Sequence, residues 1–157
     1  MIEHVVKLEH FAAECRRVLA PGGMAIVCTE NLASWHNLGA LLLGYQPFSS
    51  TNITPLESLG NPFALHAGES PNPGHVHVHV ITLRALKDLF TRCGLTIKSA
   101  WGAGYQPLSG SSGRVLAKID PRHSHFICVV ASVENVRTPA GEDLAQCLQP
   151  SAPNGPR

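Results

Sequence analysis

The chain is 157 residues long and 44% hydrophobic, with 12 Lys plus Arg against 11 Asp plus Glu and a net charge of +1. That length and composition suit one core and at most one domain, and the near balance of charge leaves no long-range field to gather nucleic acid or anionic lipid. Glu3, His4, Lys7, Glu9 and His10 break up any apolar run at the start, and no stretch nears the roughly 18 apolar residues of a membrane span, so neither a nucleic-acid nor a membrane partner is expected.

The first predicted element is a helix over Lys7 to Leu19, where Leu8, Phe11, Ala12, Cys15, Val18 and Leu19 recur at spacings of three and four. Ala20-Pro21-Gly22-Gly23 stops it, because proline cannot continue the hydrogen-bond ladder and glycine closes helix ends. Met24 to Thr29 follows as a short apolar run, predicted as a strand covered on both faces, as in a parallel sheet with helices on either side. A second, very apolar helix is expected over Leu32 to Leu43. Gly44 to Gly74 then reads as an irregular insert rich in Pro, Ser, Thr and Asn; connections of this length often cover a site.

His75 to Ile81 alternates and reads as extended, Thr82 stands at a helix start, and Leu83, Leu86, Leu89, Phe90 and Cys93 form a helical stripe ended by Gly94. Leu95 to Trp101 and Phe126 to Ser132 are the remaining strand candidates. Between them Gly110 to Gly113 reads as flexible and Arg114 to Ile119 as a short helix. The segment 134–157, with Pro139, Pro150, Pro153 and Pro156, is expected to be a disordered tail. The five cysteines lack C-x-x-C spacing, which suits free thiols in a reducing compartment and a cytoplasmic protein.

The opening Met1-Ile2-Glu3-His4-Val5, the Glu14 to Gly23 stretch, the run into Thr29-Glu30-Asn31, and the helix from Thr82 to Cys93-Gly94-Leu95 together resemble the second half of class I S-adenosylmethionine-dependent methyltransferases of the broad small-molecule type. The resemblance spans Met1 to Val133. It implies an α/β, three-layer, partial Rossmann-like methyltransferase fold lacking its amino-terminal strands and helices. It also implies S-adenosyl-L-methionine as cofactor and a small-molecule methyl acceptor. The family's glycine-rich cofactor loop has no counterpart in the sequence, so the isolated chain is expected to be inactive. A partner chain or a missing amino-terminal half is expected to cover the strand at 24–29.

Under that resemblance, ligands lie beyond the carboxyl ends of the strands, which selects the loops at Ile2 to Val5 and Thr29 to Trp35. Glu3 and His4 stand beside the cofactor, with His4 the candidate base. Asn31, Trp35, His36 and Gln46 are candidates for the acceptor pocket, and Tyr105 follows a strand end at Gly102 to Gly104. The alternatives are a non-catalytic interaction or remnant module and a histidine-dependent metal-binding protein. For the latter, His75-x-His77-x-His79 puts three imidazoles on one face of a strand, about 6 to 7 Å apart. Three ligands in line converge poorly on one tetrahedral centre, so no metal ligand is assigned from this motif and no tight zinc site is expected.

Overall fold

A computed structural model describes residues 2–53, 58–64 and 76–133. The elements follow the apolar periodicity: α1 (Leu8–Val18), β1 (Met24–Glu30), α2 (Trp35–Leu42), α3 (Leu83–Arg92), β2 (Thr96–Ala103), α4 (Gly110–Ile119) and β3 (Phe126–Ser132). Short 3-10 turns occupy Ile2–His4, Phe48–Ser50 and Pro121–His123. His75 and the expected tail at 134–157 lie outside the described residues, as do 54–57 and 65–74 of the insert.

Local chemistry explains where the boundaries moved. α2 starts at Trp35 rather than Leu32 because Asn31 holds a turn: its Oδ1 accepts the Ala33 N–H at 3.1 Å and its carbonyl accepts the Ser34 N–H, also at 3.1 Å. α3 starts where Thr82 Oγ1 accepts the Ala85 N–H at 3.2 Å. α4 takes in Gly110 to Gly113, which read as flexible. A Cβ at Gly113 would stand 2.6 Å from the Leu108 carbonyl oxygen, so glycine serves close packing there.

β3 lies in the middle of a three-stranded sheet, in the order β1-β3-β2. It pairs antiparallel with β1 from Met24–Ser132 to Glu30–Phe126, and antiparallel with β2 from Thr96–Ser132 to Ala103–Phe126. On one face α1 and α3 close the core, with Ala12, Leu86 and Phe90 against Val27, Ile127 and Val129. α4 packs on β2.

This sheet overturns the partial Rossmann-like fold, since every strand pairing in it is antiparallel. The assignment of Met24 to Thr29 as the interior strand fails with it. Phe126 to Ser132 is the run buried almost throughout, whereas β1 alternates: Val27 and Thr29 point inward, while Met24 and Ile26 are 64% and 65% exposed. A strand with one dry and one wet face is what an antiparallel edge tolerates. The free-thiol expectation also fails for Cys28 and Cys128. The β1–β3 register sets them opposite one another with Cα atoms 4.1 Å apart, and they form a disulfide; Cys15 is a free thiol. No helix among the described residues is long and apolar enough to cross a membrane.

Candidate metal centre

The Ile2–His4 turn is anchored by Ile2, which is buried in the core cluster, so Glu3 and His4 are carried to the end of β1. There Thr29 Oγ1 donates to Glu3 Oε2 at 2.9 Å. The chain re-entering at Val76 lies along this turn, because the Val78 and His79 N–H groups both donate to the Glu3 carbonyl, at 2.7 and 3.1 Å, and the His77 N–H donates to the Asn52 carbonyl at 3.1 Å. These main-chain bonds bring His77 against His4, ring centroids 5.1 Å apart.

Glu3, His4 and His77 each offer a donor atom within 4.8 Å of the others, and Glu3 Oε1 stands 3.7 Å from His4 Nε2. Around a tetrahedral ion, neighbouring ligand atoms sit about 3.3 to 3.6 Å apart, so the donor atoms must draw closer together to hold one. The ring orientations favour it. His4 Nδ1 bonds the Val76 carbonyl at 3.0 Å and His77 Nδ1 bonds the Ser49 carbonyl at 2.9 Å. A carbonyl only accepts, so each Nδ1 carries the proton and, in the neutral ring, each Nε2 keeps its lone pair. Burial works to raise the Glu3 pKa, but hydrogen-bond donors, Thr29 and its own backbone N–H among them, outweigh it and hold the carboxyl below its ordinary range. Two imidazoles and a carboxylate suit zinc and its late first-row neighbours, and three protein ligands leave a coordination position open.

Of the histidine run, His77 joins this cluster, while His79 turns its Nε2 to the Val6 carbonyl at 3.1 Å. The in-line argument therefore misses how His77 meets ligands from the amino-terminal turn. The residues picked for an acceptor pocket separate into distinct settings. Asn31 is fully buried, its Nδ2 donating to the carbonyls of Arg122 (2.7 Å) and Ser124 (2.8 Å), which ties the end of β1 to the start of β3. Gln46 Nε2 donates to the Ser50 carbonyl at 3.1 Å. Trp35 and Tyr105 do come together: Trp35 Nε1 donates to the Tyr105 hydroxyl at 2.7 Å, and that hydroxyl donates to Asp120 Oδ2 at 3.0 Å.

Asp120 and His123, spaced like neighbours on one turn, complete this second network. His123 Nδ1 meets Asp120 Oδ2 at 2.6 Å and its ring stacks on Trp35 at 4.6 Å. The hydrogen bond from His123 is the main reason the Asp120 carboxyl is held below its usual pKa, against the effect of burial. His36 lies elsewhere, on a cavity beside Phe48 and His125.

No protein-family model matches the chain, and no curated protein matches it. Together with the antiparallel sheet, that result overturns the resemblance to class I methyltransferases, and with it S-adenosyl-L-methionine as cofactor and methyl transfer as the reaction.

Proposed function

We propose that the protein is a histidine-dependent metal-binding protein that holds one divalent late first-row ion, zinc foremost, between Glu3, His4 and His77. The observation that carries this reading is that Glu3, His4 and His77 each offer a ligand atom within 4.8 Å of the others, while the Nδ1-to-carbonyl hydrogen bonds leave each neutral ring its Nε2 lone pair. Such outer contacts fix the tautomer and ring angle of metal-bound histidines. Thr29 plays the same part for Glu3.

Calorimetric titration of the full chain with zinc tests it. One equivalent is expected to bind with a dissociation constant of about micromolar, His77→Ala is expected to weaken it more than about tenfold, and His79→Ala is expected to leave it unchanged. Absence of saturable binding up to about millimolar zinc, or an unchanged affinity in His77→Ala, would end the reading.

A second reading, an interaction module docking through β1, has one observation in its favour: Met24 and Ile26 lie on an edge strand and are mostly exposed. Light scattering on the wild-type chain and on Met24→Lys/Ile26→Lys separates the two, since self-association through this edge should vanish in the variant while zinc binding persists.

A further inference from the structure

On the other side of the β1 end from Glu3 lies a cavity of about 510 Å³, lined in part by Glu30, His36, Phe48, Phe63, His125 and Phe126. Its size is that of a small-molecule site. Four of these side chains form a continuous ladder of rings. Phe48 and His36 have centroids 5.5 Å apart, His36 and His125 4.6 Å, and His125 and Phe126 4.3 Å.

The electrostatics of this wall point one way. Burial, and then the neighbouring His125, push the His36 pKa down to about 4; burial also lowers that of His125, although the nearby Glu30 charge pulls against it. Both rings are therefore neutral near neutral pH. Glu30 is then the only formally charged group among the described lining residues. Between Arg17 and Arg84 the chain carries three glutamates, Glu30, Glu57 and Glu69, and no lysine or arginine, so none of the lining residues contributed by that stretch can neutralise it. Aromatic faces carry negative partial charge and attract cations, most strongly where water is scarce. A carboxylate beside a ladder of rings discriminates against anions and against neutral polar molecules.

We infer that this cavity is a binding site for a small organic cation, an ammonium group on an apolar or aromatic body, with Glu30 as its counter-ion and the Phe48–His36–His125–Phe126 rings as its wall. The site is separate from the proposed metal centre and does not depend on it. Glu3, His4 and His77 do not line it.

A charge series of near-isosteric probes on the unmodified chain decides the matter. Heteronuclear NMR titrations, run with a chelator present to keep metal out, compare phenethylammonium, 2-phenylethanol and 3-phenylpropanoate. The cation is expected to saturate the signals of His36, His125 and Phe126 and to bind at least about tenfold more tightly than the alcohol or the anion. Glu30→Gln is expected to remove about that tenfold preference while leaving the alcohol's affinity alone. Equal or tighter binding of the alcohol or the anion, or shifts confined to residues away from the ring ladder, would overturn the assignment. So would the absence of saturable shifts at about 10 mM of the cation, which is far above the concentration a specific site requires. Should Glu30→Gln not fold, the charge series on the wild-type chain still decides. His77→Ala, which removes a proposed metal ligand, is expected to bind the cation as the parent does; failure of the metal reading and of this one are thereby distinguished.

Discussion

Lowering the pH of the metal-free chain from about 6.5 to about 4 should weaken its fold through His36. The ring packs at 4.6 Å from that of His125, and its Nδ1 is buried with no hydrogen-bond partner among the described residues. A proton placed there would add a buried charge with an unmatched N–H, which is why the pKa falls from 6.5 to about 4. In the unfolded chain an imidazole titrates at about 6.5. Between the two values the unfolded state binds a proton that the folded state refuses, so the contribution is whole above pH 6.5 and is lost as the pH falls toward 4. Undiminished, a gap of that size amounts to about 3 kcal/mol. The ring is partly open to water, and screening reduces the expected loss to about 1–2 kcal/mol. Urea midpoints across this pH window, in chelator, measure it for the wild-type chain and for His36→Phe, which keeps a ring against Phe48 and cannot titrate. The variant should show a visibly flatter pH dependence. Equal slopes in the two proteins would refute the reasoning, because His125, whose shift has the same direction, remains in both. Asp120, whose carboxyl is held below its ordinary 3.8 mainly by His123, loses its contribution only at lower pH, outside the window.

Three further outcomes are expected. Thr29→Val removes the hydroxyl that donates to Glu3 Oε2 and should weaken zinc binding by about tenfold with little change in thermal midpoint; unchanged affinity would show that Thr29 does not orient the carboxylate. Gly102→Ala places a Cβ against Ser124 Oγ and Cβ and 3.0 Å from Pro121 Cα; since Ser124 is fully buried, thermal unfolding should reveal a loss of about 1–3 kcal/mol, and a loss under about 0.5 kcal/mol would mean that the Pro121–His123 turn yields freely. Cys28 and Cys128 close a loop of 100 residues, so Cys28→Ser/Cys128→Ser should lower denaturant stability by up to about 5 kcal/mol; stability equal to that of the oxidised parent would refute a constraint from this bond.

The helices and strands were legible where the signal is local. The three-and-four spacing of Leu8, Phe11, Ala12 and Cys15 gave α1, and the stripe from Leu83 to Phe90 gave α3, within a residue or two. Strand direction was not legible in that way. Both β1 and β3 are seven-residue strands made mostly of apolar residues, and nothing in either shows that β3 takes the centre and runs against both neighbours. Reading β1 as interior led to a parallel sheet, while the cofactor followed from the family resemblance. Glu3 and His4 were singled out through that resemblance; His77 was weighed in a line with its own neighbours. Their convergence depends on contacts such as that from His4 to the Val76 carbonyl, 72 residues along the chain, which no spacing rule within one segment can supply. His36 was singled out as a pocket residue, whereas Glu30 and His125 became visible beside it only once β1 and β3 were paired in register.

The two proposed sites share structure without sharing ligands. Successive residues of a strand point to opposite sides, so at the end of β1 Thr29 reaches Glu3 while Glu30 lines the cavity. The Phe48–Ser50 turn does the same from across the gap: the Ser49 carbonyl orients His77, and Phe48 and Ser49 face the cavity. Ser49 is further held by Asn37, whose Nδ2 donates to its hydroxyl at 2.9 Å and whose Oδ1 accepts its N–H at 3.2 Å. Substituting Ser49 therefore disturbs its tie to α2 and the cavity wall while keeping the carbonyl that His77 uses. Substituting His77 removes the link from the metal side and leaves Asn37 in place. Ser49 and the end of β1 are thus two places where the metal side meets the cavity wall, and the His77 N–H adds a main-chain bond to the Asn52 carbonyl beside the same turn.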